Sequence, residues 1–466
     1  MTTYLLITAV VIFACVFLSK VSSRLGIPML LAFILLGMLF GSDGILKIPF
    51  DNYAFAEQIC TVALIFIMFY GGFGTNWQQA KSVAVKAGLL STAGVVITAA
   101  LTGVFCHYAL HIAWVESMLI GALIGSTDAA SVFSVLRSKR LSLRYNTASL
   151  LEVESGSNDP VAYMLTVIGI SILNGDNLST VPYAIFAQLV YGTLIGVILA
   201  AIAIYVLTKT DIIANGLDTI FILAVVLLGL GLSQYVGGNC FLCIYLFGIL
   251  LGNSQIRNKG NIVPFFDGVT TLAQIVIFFM LGLLSYPHMF PATILTSVII
   301  AVFLTFIARP VAVFAILLPF RCSIRQCLLV SWAGLRGASS IVFSISVMAG
   351  GSEMSKDLFN IVFMISLISV AIQGTLLPEV SRKLKMIDEK SDVRKTFNDY
   401  QEESAITLMR MFIPKGHNWE NKLISEVHMP TGAIALMIKR GRESIITRGN
   451  TRILGGDNLI LSVPAY

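Results

Sequence analysis

The feature that most constrains the fold is a series of long apolar runs along the first 380 residues. A helix needs about 20 apolar residues to cross a bilayer. Only 12% of the 466 residues are charged, whereas a soluble protein has about 25%. We therefore expect an all-α polytopic protein in a lipid bilayer. Its predicted spans, about thirteen in number, are 3–20, 27–41, 58–73, 86–106, 112–136, 148–174, 180–208, 217–236, 239–253, 267–286, 289–319, 325–350 and 357–380.

The placement of lysine and arginine predicts the orientation of these spans. With the N-terminus outside, sixteen basic residues fall on the inner side, and only Lys47 and Lys356 fall on the outer side. We therefore expect the N-terminus outside and the C-terminus in the cytoplasm, in the inner (plasma) membrane. Because the net charge of +6 is explained by these loops and the tail, no nucleic-acid partner is expected. The sixteen residues are Lys20, Arg24, Lys81, Lys86, Arg137, Lys139, Arg140, Arg144, Lys209, Arg257, Lys259, Arg321, Arg325, Arg382, Lys383 and Lys385.

Hydropathy falls after Val380, which predicts a change of domain. Residues 1–380 form the predicted transmembrane domain, and the highly charged residues 381–403 are interpreted as a linker helix. Residues 404–466 alternate short apolar strands with glycine- and asparagine-containing turns, a pattern typical of strands and hairpins. We expect a small cytoplasmic α+β domain there. The tail contains no catalytic constellation, and the chain is not expected to be an enzyme.

One apolar span contains an unusually polar stretch, LLEVESGSNDPVAYM at 150–164. A charged side chain at mid-membrane costs about 2.5–3.5 kcal/mol on insertion scales, so its three carboxylates indicate a functional site. Pro160 follows the Asn158–Asp159 pair and predicts a broken helix. The alternative is that these polar residues only hold helices together, which leaves the proline unexplained.

Two other spans contain small residues and a charge near mid-membrane. The fifth has GSTDAA at 125–130, and the twelfth has WAGLRGA at 332–338. Unwound helices are tolerated in a membrane only where they line a cavity, and their free carbonyls and helix ends can hold ions. The two stretches occupy corresponding places in the two halves of the chain, with opposite implied direction. They predict a transporter site built from inverted repeats, and close packing of glycine-rich helices is the alternative.

Charges at this depth are expected to pair. Asp128, Glu154 and Asp159 can be set against Arg309 and Arg336. We predict that Glu154 pairs with Arg336 and is structural. We expect Asp128 to neutralise a dipole end of the broken fifth span. This assignment leaves Asp159 as the acid without a basic partner.

A carboxylate left alone in a desolvated cavity is neutralised by a proton or by a bound cation, and the two states exclude each other. Hard cations prefer oxygen ligands, which Asp159, Thr127, Ser155 and nearby backbone carbonyls could supply. Asn158 offers an oxygen but never ionises, so one cation replaces one proton. The site therefore predicts electroneutral cation/proton exchange, with Glu154 beside it.

These motifs resemble those of the monovalent cation:proton antiporters, in the electroneutral Asn–Asp branch. The resemblance covers roughly 1–380 and also includes IQGTLLP at 372–378. It implies thirteen helices with two crossed broken helices, a homodimer, and elevator-like alternating access with Asp159 in the moving core. The residues that match the family's site positions are Thr127, Glu154, Ser155, Asn158, Asp159 and Arg336.

Two positions depart from that family's pattern. Tyr70, in FYGGFGTNW, stands where relatives often carry an acid in the third span. Ala129 replaces the proline of the frequent Thr-Asp-Pro sequence. The first departure puts in doubt whatever cation or gating role the third-span acid has in relatives.

The tail from Asn421 to Val463 resembles the C-terminal subdomain of potassium-conductance regulators. Antiporters with such a tail resemble the potassium/proton branch, in which the tail gates transport and binds a small effector such as a nucleotide. The resemblance therefore favours K⁺ over Na⁺, although the sequence assigns no residue of 404–466 to an effector. A passive dimerisation module is the alternative.

Two other functional classes agree less well with these motifs. An intramembrane aspartyl protease would use Asp128 and Asp159 as carboxylates that share a proton, but the Gly-x-Gly-Asp setting is absent and the paired broken helices would have no role. A cation channel with a cytoplasmic gate would need a selectivity filter such as Thr-Val-Gly-Tyr-Gly, which does not occur. Cys240 and Cys243 form a lone CxxC without a second pair, so no structural metal is expected.

Overall fold

A computed structural model describes residues 2–25, 29–48, 50, 52–139, 141–210, 212–214, 216–256, 258–350, 355–388, 406–427, 429, 433–440 and 443–464. The chain divides into two compact units, Met1–Asn398 and Asp399–Tyr466. Each unit has its own buried apolar core. The predicted linker at 381–403 lies outside the described residues from position 389 onward, and its first residues belong to the last helix of the first unit.

The first unit is a bundle of helices. They are α1 (Thr2–Leu25), α2 (Met29–Phe40), α3 (Tyr53–Gly74), α4 (Trp77–Ala80), α5 (Ala84–Leu89), α6 (Val95–Leu110), α7 (Trp114–Leu123), α8 (Ala129–Ser138), α9 (Thr147–Leu173), α10 (Val181–Lys209), α11 (Asp218–Tyr235), α12 (Cys240–Gly252), α13 (Lys259–Leu283), α14 (Phe290–Phe303), α15 (Arg309–Leu317), α16 (Ile324–Trp332), α17 (Ala338–Ala349), α18 (Ser355–Ile368) and α19 (Thr375–Lys383). Three π-helical turns, Leu90–Gly94, Leu304–Ala308 and Ser369–Gly374, join α5 to α6, α14 to α15 and α18 to α19.

All thirteen predicted spans coincide with helical segments of this bundle. In the described part of the chain, seven segments are long and apolar enough to cross a membrane. The remaining spans are shorter or carry interruptions. Two interruptions were predicted: α7 ends at Leu123 before α8 begins at Ala129, and α16 ends at Trp332 before α17 begins at Ala338.

The predicted break at Pro160 is wrong. Helix α9 continues through this proline from Thr147 to Leu173. Membrane helices tolerate proline where neighbouring groups satisfy the backbone around it. Here Asn239, which also caps the N-terminus of α12, donates from Nδ2 to the Pro160 carbonyl at 2.8 Å. The side chains at 152–159 therefore project from one continuous helix.

Close helix packing builds the wall beside α9. A Cβ at Gly282 of α13 would collide with the backbone of α2 at Ile34, and a Cβ at Gly248 of α12 would collide with the backbone of α3 at Phe69. Small residues at such contacts let two backbones approach, which is how membrane helices gain packing contacts. The result is a layer of α2, α3, α12 and α13.

The second unit is a four-stranded antiparallel sheet with strands β1 (Ile406–Phe412), β2 (Ile434–Arg440), β3 (Glu443–Ile446) and β4 (Asn458–Pro464) in the order β1-β4-β2-β3. These strands coincide with the short apolar strands predicted in residues 404–466. Ile438, Leu459 and Leu461 lie in its buried core. In the described residues of this unit, helical structure is confined to one 3₁₀ turn, Ile424–Glu426.

Candidate functional site

The two interrupted spans meet at their breaks. The backbone N–H of Asp128 donates to the Leu335 carbonyl at 2.8 Å. In return, Nη1 of Arg336 donates to the carbonyls of Gly125 and Ser126 at 2.9 and 2.6 Å. An unwound helix exposes carbonyls that need hydrogen-bond partners. Here each break supplies donors to carbonyls of the other. We call this contact the crossing.

Asp128 closes the N-terminus of α8. Its carboxylate accepts from the Ser131 backbone N–H at 3.3 Å and from the Ser131 hydroxyl at 2.6 Å. A negative charge is favourable at this end of a helix because the N–H groups there carry partial positive charge. Asp128 therefore lies at a dipole end of the broken span, and a Cβ at Gly337 would collide with its carboxylate.

Asp159 lies beside the crossing and is 7% exposed. Its carboxylate accepts from the Ser126 hydroxyl. The Ser126 hydroxyl also contacts the Ser339 hydroxyl at 2.8 Å, at the start of α17. In the described part of the chain, no basic side chain lies within ion-pair distance of Asp159. A buried carboxylate in this position requires a proton or a cation to neutralise it.

The turn of α9 before Asp159 holds the first break in place. Ser155 donates to the Thr127 carbonyl at 2.6 Å, and Asn158 donates to the Thr127 hydroxyl at 2.5 Å. The Thr127 N–H points back to the Asn158 amide oxygen at 3.4 Å, and Asn158 also donates to Glu154 at 3.3 Å. The structure thus brings Thr127, Glu154, Ser155, Asn158 and Asp159 into one cluster.

The predicted pairing of Glu154 with Arg336 is wrong. Glu154 pairs with Arg309 instead, at 2.9 Å between Oε1 and Nη2, and both side chains are almost fully buried. Arg309 passes close to Gly334, where a Cβ would lie 2.8 Å from its Nε. Arg336 is directed to the carbonyls of the first break, which is a contact that only the geometry of two unwound segments creates.

A cavity of about 270 Å³ extends from Asp159 into the bundle. Its lining includes Glu152, Tyr70 and Asp267, of which Tyr70 donates from its hydroxyl to Asp267 at 3.2 Å. Asp267 was not predicted as a site residue, because the tenth predicted span, 267–286, begins at that residue. The helix begins at Lys259, so Asp267 lies about two turns inside it. An acid in an apolar run was the available signal.

The contact between Tyr70 and Asp267 also places an acid beside the position where the third span lacks one. The third span lacks an acid at that position, but the tyrosine hydroxyl there contacts a carboxylate from α13. Together with Asp128, Glu152 and Asp159, Asp267 gives the cavity four acidic side chains. A cleft lined by one sign of charge raises the local concentration of ions of the other sign. The cavity can therefore attract a cation to Asp159.

Two broken helices that cross beside a buried acid that lines a cavity define a secondary ion transporter. The model of the family described as "Sodium/hydrogen exchanger, transmembrane" matches residues 9–383, and a TrkA-C domain matches residues 408–465. The chain belongs to the sodium/hydrogen exchanger family.

Relatives agree with this membership, and a solved structure has the same fold. The K(+)/H(+) antiporter NhaP of Alkalimonas amylolytica is 32% identical over 451 residues, which are 96% of this chain and 78% of the relative. The K(+)/H(+) antiporter NhaP2 of Shewanella sp. strain ANA-3 is 37% identical over 388 residues, 82% of this chain and 67% of the relative. The sodium proton antiporter MjNhaP1 from Methanocaldococcus jannaschii has the same fold, with a TM-score of 0.71 at 22% identity over 82% of this chain and 99% of its own.

Proposed function

We propose that this chain is an electroneutral antiporter that exchanges a monovalent cation, K⁺ in preference to Na⁺, for a proton. The observation that carries the proposal is Asp159, a buried carboxylate that lines an acidic cavity and has no basic partner in the described residues. A proton and a cation would compete for this one group. Release of one would then be the condition for binding the other.

The charges around the crossing support a one-for-one exchange. Glu154 and Arg309 neutralise each other directly. Asp128 and Arg336 contribute one further negative and one further positive charge to the crossing. Asp159 is then the negative charge in excess, and a single proton or a single monovalent cation neutralises the set. Equal charge in both loaded states makes exchange insensitive to membrane voltage.

The cation would be held by oxygen atoms of the cluster. We assign the Asp159 carboxylate and the hydroxyls of Thr127 and Ser155 as ligands. Ser155 donates its proton to the Thr127 carbonyl at 2.6 Å, and the Thr127 hydroxyl oxygen accepts from Asn158 at 2.5 Å, so both hydroxyls lie in the cluster around Asp159. Hard monovalent cations favour such neutral and anionic oxygens. We assign Asn158 and Glu154 to the same site as supports of that geometry.

The position of the cavity supports an inward-facing state. Its lining comes from the C-terminal half of α3, the N-terminal half of α9 and the middle of α13 from Asp267 to Gln274. With the N-terminus outside, those ends of α3 and α9 lie on the side that carries the excess of lysine and arginine. The cavity then faces the cytoplasm. We propose this orientation in the inner membrane, with residues 404–466 in the cytoplasm.

The preference for K⁺ rests on the tail and on relatives. The two relatives described above are both named K(+)/H(+) antiporters. The tail matches a TrkA-C domain and resembles the C-terminal subdomain of potassium-conductance regulators. A Na⁺/H⁺ antiporter with a passive tail is the second candidate, because the solved relative is a sodium proton antiporter. The cluster itself offers oxygen ligands to either ion.

We further propose that the tail gates exchange. The segment that follows α19 is bonded to the loop between α8 and α9: Arg144 N–H donates to the Met386 carbonyl and Asp388 N–H to the Ser142 carbonyl, both at 2.9 Å. The chain that leads to the tail is thus bonded to the loop that joins α8, which Asp128 caps, to α9, which carries Asp159. A nucleotide is the proposed type of effector, and a homodimer is the proposed assembly.

The test is proton flux in proteoliposomes that contain a pH-sensitive dye. KCl or NaCl is added under an imposed pH gradient at several membrane potentials. We expect a cation-dependent pH change that is indifferent to voltage, is larger with K⁺, and is lost in Asp159→Asn. Asp176→Asn, an exposed acid in the loop after α9, is the matched control and should behave as wild type.

Each alternative has its own result in this assay. A response to Na⁺ alone would replace the K⁺ assignment. Single-channel conductance in planar bilayers would indicate a gated channel instead of an exchanger. Wild-type flux in Asp159→Asn would remove that residue from the coupling step, and voltage-dependent flux would contradict the one-for-one stoichiometry.

A further inference from the structure

The π-helical turn Ser369–Gly374 touches the crossing from outside the cluster described above. The Ser369 hydroxyl accepts from the backbone N–H of Arg336 at 3.0 Å. The same hydroxyl donates to the Gln373 amide oxygen. Ser369 and Gln373 are 5% and 6% exposed. A polar pair from the last span is thus buried directly against the second break.

Gln373 connects the break to two further elements. Its Nε2 donates to the Thr305 hydroxyl at 3.0 Å, and Thr305 lies in the π-helical turn between α14 and α15. Its backbone carbonyl accepts from the Trp332 indole N–H at 3.2 Å, at the last residue before the break. A wide π turn leaves such a carbonyl open to an outside partner. Gln373 therefore links the second break, through Trp332, to the π-helical turn that contains Thr305.

The hydrogen bonds from Arg336 through Ser369 and Gln373 to Thr305 all have the donor on the side of Arg336. Because the Arg336 N–H donates to Ser369, the Ser369 proton is free to point to Gln373, and the Gln373 amide must turn its oxygen inward and its NH₂ toward Thr305. An apolar side chain at 373 would leave the hydroxyls of Ser369 and Thr305 without this partner. Buried polar groups left without partners are costly.

Arg336 depends on this support. Its Nη1 holds the carbonyls of the first break, but its Nε and Nη2 have no partner within the described residues. The bond to Ser369 is what ties the Arg336 backbone to a neighbouring span. From Arg336 the contacts continue to Ser126, whose hydroxyl touches Asp159. A shift at Ser369 would therefore move the donors and carbonyls that surround the cation site.

We propose that Ser369 and Gln373 are positioning residues for cation binding, acting through Arg336 and Ser126. The proposal rests on the proposed function, because it assumes that the cation binds at Asp159. It adds the last span to the parts of the molecule that set the geometry of the cation site. Neither residue is expected to touch the cation.

The test compares Ser369→Ala, Gln373→Leu and Thr305→Val with Thr305→Ser, which keeps the hydroxyl and serves as the matched control. Full-length variants are assayed in proteoliposomes with K⁺ and with Na⁺. Loss of one buried hydrogen bond that shapes a site corresponds to about a tenfold change in affinity. We expect KM for the cation to rise about tenfold in the first two variants, with kcat changed much less.

Two further readouts separate positioning from general stability. The pH–activity midpoint should move with KM, because the proton competes for the same carboxylate. The rise in melting temperature that the cation produces in detergent should shrink in Ser369→Ala and Gln373→Leu. Ser369→Ala and Gln373→Leu combined should show much less than the sum of the single effects, because both act in one chain of contacts.

Thr305 is the contact farthest from Arg336 in this series of hydrogen bonds. Thr305→Val should raise KM about two- to threefold, since the Gln373 amide loses only one of its partners. Thr305→Val still tests the proposal if Ser369→Ala and Gln373→Leu do not fold. Unchanged KM and pH midpoint in every variant that folds would overturn the proposal, even if melting temperatures fell. Failure of the proposed function is separate: wild type itself would then show no cation-dependent pH change.

Discussion

At the scale of the residue, a buried ion pair joins Glu154 to Arg309 beside the candidate cation site. The two side chains are 1% and 2% exposed, so neither charge has water as an alternative partner. Removal of one member of a buried pair strands the other and costs about 3–5 kcal/mol. We expect Arg309→Met to lower the melting temperature strongly, and Glu154→Gln to do the same. Their double variant should lose much less than the sum.

A double-mutant cycle on purified protein in detergent measures this coupling. The pair Glu379–Lys383 on α19 is the matched control, because it is exposed and its charges lie 3.8 Å apart. Exposed pairs contribute about 0–1 kcal/mol, so Glu379→Gln should leave the melting temperature almost unchanged. Additive losses in the Glu154 and Arg309 variants would show that the pair is not coupled.

The sequence was enough to name candidate site residues, but it was not enough to name their ion-pair partners. The polar residues of one short stretch identified Asn158 and Asp159, because carboxylates and amides are rare in apolar runs. The choice between Arg309 and Arg336 as the partner of Glu154 could not be made from spacing. It depends on free carbonyls at a break and on the space beside Gly334, which are properties of the folded crossing.

At the scale of the element, the two breaks were predictable and the π turns were not. A break is marked by glycine, small residues and a charge, as at 125–130 and 333–337. The π turn Ser369–Gly374 has the sequence SVAIQG, which is ordinary for a membrane helix. Such a turn is stabilised by partners from other spans, here Trp332 and Thr305. Those partners are distant in the sequence, so no local pattern reveals them.

Gly337 tests how tightly the two breaks are packed. A Cβ there would collide with the Asp128 carboxylate, which itself caps α8. Gly337→Ala must displace either the cap or the second break, so we expect cation-dependent exchange to fall at least tenfold and the melting temperature to drop. Overpacking of this kind costs about 1–3 kcal/mol.

The matched control is Gly88→Ala in α5, where an added Cβ meets open space. Alanine is preferred over glycine inside a helix by about 1 kcal/mol, so this variant should be as stable as wild type or slightly more stable. Wild-type exchange in Gly337→Ala would mean that the crossing adapts freely, contrary to the packing seen at Asp128.

At the scale of the whole molecule, the tail has its own stabilising pair. Arg440 on β2 donates twice to Asp457, through Nε and Nη2 at 2.8 Å each. These hydrogen bonds hold the pKa of the Asp457 carboxyl below its usual range. A lowered folded pKa stabilises the tail at pH above the ordinary aspartate pKa, and that stabilisation is lost as the pH falls through the lowered value.

Asp457→Asn should therefore weaken the tail at pH 7 by about 2 kcal/mol, as expected for hydrogen bonds to a charged group. Hydrogen exchange of β2 and β4 in the full-length protein measures this, after correction for the intrinsic rate at each pH. The difference from wild type should shrink well below pH 4. Glu443→Gln, an exposed acid opposite Arg440, is the control. A difference that is constant across pH would exclude the charge as its cause.

The connection between the two units leads to the last prediction. Residues 384–388 follow α19 and are fastened to the loop between α8 and α9 by two backbone hydrogen bonds. Met386 is 1% exposed and lies in the same apolar cluster as Leu143, Leu150 and Leu151. Two hydrogen bonds at about 1 kcal/mol each and one buried side chain at about 1.5–3 kcal/mol make this segment part of the transmembrane unit.

Two truncations that differ by five residues separate the segment from the tail. A chain that ends at Asp388 keeps the contacts, so exchange and melting temperature should stay near wild type while regulation by the tail disappears. A chain that ends at Lys383 removes the hydrogen bonds that residues 384–388 make with the Arg144 N–H and the Ser142 carbonyl, and it exposes the pocket of Met386. We expect it to melt at a lower temperature and to exchange more slowly, because α8 and α9 lose their common support. Identical melting and flux in the two truncations would show that the tail acts on the transporter by another route.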